Sequence, residues 1–526
     1  MIIPSCATQF DSDSERHLCR QARLAKDARF DGVFFVGVFS TGIYCRPICP
    51  AVAPKEENVK YFSSAVAAAS AGLRPCLRCR PDSAPHSFAW KGTQTTVDRA
   101  VKLIDEGAMS GEHGQSVEDI AARLGISARY LRRLFQQKFG TSPKHYAVYK
   151  QLLFAKQLLH QTQLSITDIA LASGFTSIRR FNQVFKDTMA LTPSELRRQT
   201  EQDSSQATNN IELVLYQSYR PPLDWARQWA FYQLRAVEGM EWLPDSQSYG
   251  RSFSIAGLQG IFLAEHEAKK NRFKITVNLV AGSQLGGLSQ LVNELRRILD
   301  LDADMLQITN GLSYLQQHGM TPRDGLRIPG AGSTFEALCR AILGQQVSVV
   351  QATKLLSLLV QHYGETITLN QDSEQANASA KNTRSENLST HRQVRLFPTP
   401  EAIANASLDE LKMPGARKLA LNAMAQFLVE NPTSMPHEWL GVKGIGPWTV
   451  AYAQMRGMGE PNIFLATDLI VKKRLLKLYL DNASLAKEII SKSEQTALYK
   501  RVSEEAATGV APWGSYLTFQ LWSLES

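Results

Sequence analysis

Four cysteines fall into two tight pairs, Cys45-Arg46-Pro47-Ile48-Cys49 and Cys76-Leu77-Arg78-Cys79. Two short-spaced pairs across a loop can close a tetrahedral four-thiolate zinc site from Cys45, Cys49, Cys76 and Cys79. Zinc suits such a set because it is borderline-soft, has no redox chemistry and favours four ligands. The alternative is four unrelated buried thiols. A second chemical feature lies far down the chain, at Lys443-Gly444-Ile445-Gly446-Pro447. Two glycines there make a tight hairpin at the start of a helix, where free backbone amides bind phosphate, and Lys443 adds a charge. Contacts of this kind do not select base sequence. About twenty residues on, Phe464-Leu465-Ala466-Thr467 ends in Asp468. By residue type alone a carboxylate can face a positive charge, or it can simply cap a helix.

These residues need several domains to position them. A chain of 526 residues suggests about three or four. Its 44% hydrophobic and 20% charged residues are those of a globular protein. A net charge of +9 favours a polyanionic partner such as nucleic acid without requiring one. The remaining cysteines, Cys6, Cys19 and Cys339, are scattered, which argues for a reducing cytosol over a disulfide framework. The N-terminus lacks a basic start followed by an apolar core, so no signal peptide is expected. No apolar run reaches the roughly 18 residues of a membrane span.

The first unit is expected over residues 1–90. Val33 to Phe39 predicts a buried strand leading into the first cysteine pair, and Tyr61 to Ala71 predicts a short helix ending at Gly72. Arg46, Arg74, Arg78 and Arg80 surround the cysteines. They make either a solvated basic rim or a phosphate-facing surface. The runs Thr41-Gly42-Ile43-Tyr44-Cys45-Arg46-Pro47-Ile48-Cys49, Glu57-Asn58-Val59 and Arg74-Pro75-Cys76-Leu77-Arg78-Cys79 resemble the N-terminal domain of the Ada adaptive-response regulator, over about residues 1–85. The resemblance implies that Cys45 irreversibly accepts a methyl group from a methylphosphotriester in DNA. Cys49, Cys76 and Cys79 would be its co-ligands, and Arg46 and Arg78 would face the backbone. A zinc-bound thiolate is the nucleophilic form of cysteine. Four thiolates on zinc carry a double negative charge, and methylating one sulfur leaves a single one. DNA repels the first state more, so affinity rises on methylation.

Residues 91–200 make the second unit. Ser116 predicts an N-cap for a helix through Ala121, Leu124-Gly125-Ile126-Ser127 a turn, and Ala128 to Phe139 a basic amphipathic helix with Arg129, Arg132 and Arg133. That is a helix-turn-helix. The pattern repeats from Ile166 through Ser173-Gly174-Phe175 to Phe185, with Arg179 and Arg180 in the second copy, and a long helix of about Pro143 to Gln161 joins the two. Closed by Thr192-Pro193-Ser194-Glu195-Leu196-Arg197, the pair resembles the AraC family of transcription regulators. Residues 201–210 are polar and aperiodic, as in a linker.

Residues 211–325 read as strands at Ile211 to Tyr216, Tyr249 to Ile255, Gln259 to Leu263 and Phe273 to Leu279, then a helix at Leu288 to Leu299, an α+β scaffold. Residues 326–526 read as helical, with helices at Ser333 to Ile342 and Val347 to His362, and a disordered insertion at 370–390. The hairpin and Asp468 together resemble the helix-hairpin-helix DNA glycosylase superfamily. Ala341-Ile342-Leu343-Gly344-Gln345-Gln346-Val347-Ser348, Phe397-Pro398-Thr399-Pro400 and Pro512-Trp513-Gly514-Ser515-Tyr516 narrow this to AlkA-type 3-methyladenine DNA glycosylase II.

That resemblance implies a TBP-like α+β domain followed by an all-α glycosylase domain, beside the small α/β zinc domain and the all-α double helix-turn-helix. It implies Asp468 as the catalytic carboxylate, and Trp448, Tyr452 and Trp513 as an aromatic base pocket working by cation–π attraction. Gln346 would fill the gap left by a flipped base, and Lys443, Gly444 and Gly446 would hold the backbone. Trp448 stands where bifunctional relatives carry a lysine, so excision without strand cleavage is expected. No cysteine follows Cys339, which excludes the iron–sulfur cluster of some relatives. The Pro-Cys-His-Arg site of the second methyltransferase domain of Ada is absent from the sequence. The expectation is one zinc ion with no organic cofactor. Expected partners are alkylated and promoter duplex DNA and RNA polymerase, with a monomeric chain in the bacterial cytoplasm on the nucleoid. The alternative is a regulator whose glycosylase half binds lesions without cutting.

Overall fold

The computed structural model describes residues 13–26, 30–31, 33–79, 81, 93–111, 114–198, 211–368, 393–482 and 492–523. The linker at 201–210, the insertion at 370–390, Cys6 and Arg80 lie outside the described residues. Packing divides the chain into two compact units, Met1–Asp105 with Ser116–Pro143, and Glu106–Gln115 with Lys144–Ser526. No described helix is long and apolar enough to cross a membrane.

In the first unit, helix α1 (Asp13–Leu24) precedes strands β1 (Phe35–Val38), β2 (Ile43–Cys45) and β3 (Val59–Phe62), then helix α2 (Ala65–Ser70) and strand β4 (Arg74–Pro75). The sheet order is β3-β1-β2-β4. Strand β1 is wholly apolar because both its faces are covered. Val36 and Val38 pack with Cys19 and Ala22 of α1, and Phe35 packs with Tyr44, Phe62 and Ala68. A Cβ on Gly37 would come within 2.5 Å of the Phe62 ring, so the close approach requires glycine. The expected helix from Tyr61 is shorter than the sequence suggests. Val59–Phe62 pairs with β1 instead, and the helix begins only after Ser64, whose side chain caps Ala67 N at 3.1 Å. Helix α3 (Thr93–Asp105), α4 (Val117–Arg123) and α5 (Ala128–Phe139) follow. Ser116 and Asp119 form a capping box on α4. Helix α5 buries Leu131, Leu134 and Phe135 and leaves Arg129, Arg132 and Arg133 exposed.

The second unit opens with α6 (Pro143–Gln161), α7 (Ile166–Ala172), α8 (Ile178–Met189) and α9 (Pro193–Arg198). Phe181 and Phe185 are buried on α8, while Arg179 and Arg180 are exposed. An antiparallel sheet follows, ordered β5-β9-β8-β7-β6, from strands β5 (Glu212–Ser218), β6 (Glu241–Trp242), β7 (Ser248–Ile255), β8 (Leu258–Glu267) and β9 (Arg272–Leu279). Helix α10 (Trp225–Arg235) lies between β5 and β6, and α11 (Leu288–Ile298) follows β9. Strand β5 is an edge, but its backbone is not bare. Tyr216 N donates to Gln161 Oε1 at 3.0 Å, and Gln161 Nε2 donates to Tyr216 O at 3.4 Å. The side-chain amide stands in for a neighbouring strand. One hydrophobic core runs from Leu152, Phe181 and Phe185 into Leu213, Ile275 and Leu291.

The C-terminal part contains α12 (Thr334–Leu343), α13 (Val349–Tyr363), a hairpin of β10 (Thr366–Thr368) and β11 (Gln393–Arg395), α14 (Gly415–Glu430), α15 (Pro447–Gly457), α16 (Leu469–Asn482), α17 (Lys492–Val510) and α18 (Gly514–Ser523). Helix α15 bridges two cores. Val450 and Ala453 pack with α12 and α14, and Tyr452 and Met455 pack with α16 to α18.

The sheet is fixed to α12 by a buried, charge-balanced network. Arg251 Nη2 meets Glu336 Oε2 at 2.6 Å. Arg340 meets Glu241 Oε2 and Glu336 Oε1, each at 2.8 Å. Tyr249 donates to Glu241 at 2.7 Å. Burial alone would raise the Glu336 carboxyl, but the charges of Arg251 and Arg340 hold it at about 2. Removing one partner strands the opposite charge in a dry site. Glu336→Gln is therefore expected to cost about 3–5 kcal/mol of stability, read as a lower unfolding midpoint in denaturant. Because the folded carboxyl titrates below its unfolded value, this stabilisation is complete above about pH 4.5 and fades as pH falls toward 2.

Candidate functional site

Topology brings the four cysteines together. Strands β2 and β4 run parallel with Tyr44 opposite Pro75, so Cys45 and Cys76 follow side by side, and Cys76 N donates to Tyr44 O at 3.0 Å. All four sulfur atoms lie within 4.8 Å of one another, and Cys49 Sγ is 3.9 Å from Cys76 Sγ. Tetrahedral zinc with Zn–S near 2.3 Å needs sulfurs about 3.8 Å apart, so the set fits that ion. The four are not equivalent. Cys49, Cys76 and Cys79 are 9%, 7% and 6% exposed, whereas Cys45 is more open. Cys45 faces a cavity of about 600 Å³ that Lys26, Lys55, Arg74 and Arg78 also line, all four of them exposed.

Arg46 departs from the expected phosphate-facing rim. It is 4% exposed, with Nε on Asp31 Oδ1 at 2.7 Å and a second contact from Nη2 to Oδ2. Its Nη1 reaches Cys79 O at 3.1 Å, and its backbone N–H points at Cys79 Sγ at 3.3 Å. Asp31 supplies the carboxylate that turns this arginine inward. It braces the cysteine loops from behind, as groups around a metal site do. Arg78 is exposed as expected.

The second site is a cavity of about 210 Å³ beside Asp468, with Trp448, Tyr452, Trp522, Arg235 and Ile470 in its wall. Asp468 does two jobs. Its Oδ1 caps α16, accepting from Ile470 N at 2.9 Å and Val471 N at 3.1 Å. The indole N–H groups of Trp448 and Trp522 each hold one carboxylate oxygen, both at 3.2 Å. The carboxylate is thus fixed in direction by four donors and sits at a helix N-terminus that favours its charge. Trp448 and Tyr452 stack on each other, with centroids 5.2 Å apart, so they make one wall and not two jaws. Burial alone would raise the Tyr452 phenol, but the charges of Arg456, Arg235 and Arg340 lower it.

Trp513 is not in this wall, contrary to expectation. It fills a slot over Gly311, where a Cβ would come within 2.1 Å of its ring, and meets Tyr516 edge-on. Trp522, which sequence reasoning missed, takes the place. Its signal was only a tryptophan nine residues beyond Trp513, near the end of the helix that follows it.

Gln346 lies at the exposed tip of the turn between α12 and α13, between the cavity-lining residues Gly344 and Val347. Its φ of 57° is unusual for a glutamine and holds the residue outward. Gln345 Nε2 ties the turn to Thr449 Oγ1 at 3.2 Å.

The glycine hairpin is anchored by buried Val442 and Ile445, with Lys443 and Gly444 exposed. Gly444 has φ +90°, and a Cβ there would meet Ala420 at 2.6 Å. Gly446 is the N-cap of α15 and, lacking a side chain, leaves the first-turn amides open. Gly444→Ala is expected to cost about 1–3 kcal/mol and to weaken binding to undamaged duplex DNA, measured by thermal unfolding and by titration at fixed salt.

Comparison with known proteins agrees with this layout. Residues 18–82 match the family model described as the metal binding domain of Ada, and the four-cysteine cluster with this match supports a zinc ion. Residues 120–199 match a helix-turn-helix domain, and residues 212–333 match the AlkA N-terminal domain. The chain is 32% identical to a Mycobacterium tuberculosis protein described as "Probable bifunctional transcriptional activator/DNA repair enzyme AlkA", over 97% of this chain and 96% of that one. It is 29% identical to Escherichia coli DNA-3-methyladenine glycosylase 2, over 59% of this chain and 96% of that protein. Its N-terminal part is 31% identical to the E. coli bifunctional transcriptional activator/DNA repair enzyme Ada, over 34% of this chain and 48% of that protein.

Proposed function

Because the chain belongs to the family of bifunctional transcriptional activator/DNA repair enzymes of the AlkA type, we propose that it senses alkylated DNA through Cys45 and excises alkylated purines at Asp468. The observation that carries the second half is the carboxylate itself, held by two indole N–H groups and two helix amides at a cavity wall. An N-alkylated purine is already a good leaving group. As its glycosidic bond breaks, the electron pair departs with the base, and positive charge grows on the deoxyribose. Asp468 faces that charge, and water then adds to the sugar. No lysine stands at the reacting position, so the product is an abasic site and not a cut strand. The gap left by the base is filled by Gln346, and the hairpin amides with Lys443 grip the backbone.

Cys45 is the open member of its set, in a cavity lined by exposed cations that suit a DNA backbone. Cys45 Sγ attacks the methyl carbon of a methylphosphotriester. An S–C bond forms, the C–O bond breaks, and its electron pair stays on the phosphate oxygen as an ordinary diester. Coordination to one zinc ion is what keeps these sulfurs deprotonated at neutral pH. With less negative charge after transfer, the domain binds promoter DNA more tightly. Arg129, Arg132, Arg133, Arg179 and Arg180 contact that DNA from the two helix-turn-helix motifs, and RNA polymerase is recruited. The working form is a cytoplasmic monomer on the nucleoid, with no iron–sulfur cluster or organic cofactor. The test is to incubate purified protein with methylated duplex DNA, following released bases and the intact protein mass. Absence of released purine refutes excision, and absence of an added methyl refutes sensing.

A further inference from the structure

The cavity at Cys45 has two kinds of lining, and the cations are only one of them. Lys26, Lys55, Arg74 and Arg78 are exposed on it. Among the described residues that line it there is no aspartate or glutamate. The second kind is apolar. Ile43 and Ala51 pack against the cysteine cluster and line the cavity from below. Val52 and Leu77 line it too, yet are 95% and 79% exposed, so they form its lip.

A lone apolar side chain in solvent is ordinary on a protein surface. These two are not scattered. Leu77 directly follows Cys76, and Val52 comes three residues after Cys49. Those two sulfurs lie 3.9 Å apart, within the set that includes Cys45. Whatever holds the sulfurs together therefore also holds both side chains near Cys45.

Cations alone select poorly for methyl transfer from DNA. Every intact phosphate of a duplex is a diester anion, and the cations attract all of them alike. A methylphosphotriester has lost that charge, so it is the phosphate they hold least. It has gained a methyl group instead. Singling it out calls for a surface that a neutral ester can touch and that strips water from an anion without giving it a partner.

We propose that Val52 and Leu77 set the specificity of methyl transfer, as an apolar lip that seats the neutral triester and turns away the intact diester. This rests on the reading of Cys45 as the methyl acceptor. The rim cations grip the anionic phosphates on either side of the lesion. Val52 and Leu77 cover the ester methyl and the C–H face of the adjoining deoxyribose, and the methyl carbon is presented to Cys45 Sγ. The S–C bond forms, the C–O bond breaks, and the phosphate keeps the electron pair as a diester anion. Intact backbone occupies the rim without seating at the sulfur.

The experiment uses full-length, zinc-loaded protein and a duplex with one methylphosphotriester at a defined position. Val52→Ser combined with Leu77→Ser is expected to slow second-order methyl transfer about ten-fold, read by intact mass. Leu77→Lys tests the charge. It should tighten binding to undamaged duplex, yet slow transfer when undamaged duplex is in excess. Methyl iodide needs no docking and should methylate Cys45 at the wild-type rate in every variant, with zinc content unchanged. Wild-type transfer by the double variant overturns the proposal, as does faster transfer by Leu77→Lys under competition. A fall with methyl iodide as large as the fall with DNA also overturns it, because the two residues would then serve the thiolate and not the ester. If wild type takes no methyl from the duplex, the sensing reading falls and takes this one with it. If wild type transfers and the double variant matches it, this proposal fails alone.

Discussion

Asp468→Asn is expected to leave duplex DNA binding intact while slowing base release by at least about 10²–10³-fold. The substitution is informative because it separates the two jobs of the residue. Asparagine is as good a helix cap as aspartate, so the Ile470 and Val471 amides keep an acceptor and α16 keeps its start. The charge is lost, and the amide nitrogen now faces an indole N–H, a donor against a donor. Stability should therefore fall only modestly, by about 1–3 kcal/mol for the indole left without an acceptor, while chemistry collapses. Single-turnover release of 3-methyladenine, with DNA affinity measured on the same variant, decides it. Excision at the wild-type rate would refute the assigned role. A variant that also fails to bind DNA would show that the carboxylate is needed for structure.

The second large effect is at Cys45. Wild-type protein exposed to methylated DNA should gain one methyl, and Cys45→Ala should gain none. The argument is access. Cys49, Cys76 and Cys79 are sealed within their loops, and Cys79 is further tied by the Arg46 N–H. A phosphotriester on a stiff duplex reaches only the open thiol. Peptide mapping should place the methyl on the segment holding Cys45, and finding it on any other cysteine sinks the assignment. Chelation should loosen the N-terminal sheet, since β2 ends in Cys45, Cys76 directly follows its parallel neighbour β4, and metal binding there is folding energy. Zinc content measured on Cys45→Ala and Cys49→Ala separates loss of the ligand set from loss of the acceptor.

Much of this was legible in the sequence, and the misses share a cause. Cysteine spacing is local, so the ligand set could be read without a fold. So could the long helix at Pro143–Gln161 and the capped start at Ser116, where short-range chemistry settles the conformation. Helix α10 was not read because polar Gln228 lies on its buried face. Its amide and the Tyr232 hydroxyl reach the Leu299 and Ile298 carbonyls, a use that no hydropathy period reveals. Trp513 and Trp522 could not be told apart because the decision is made far away, by the absent side chain of Gly311. Arg46 looked like a DNA contact because nothing near it in sequence announces Asp31 as its partner.

The closing of the β5 edge by Gln161 bears on inheritance. The residue belongs by sequence pattern to the DNA-reading helices, yet the group it satisfies is the backbone of Tyr216 in the neighbouring domain. The phenylalanines beneath α8 share their core with the same sheet. Selection on promoter recognition and selection on repair therefore act on one common surface. Exchanging either part between relatives therefore keeps this seam only when Gln161 and the apolar face of α8 stay matched to the sheet they meet, so drift in one is constrained by the other.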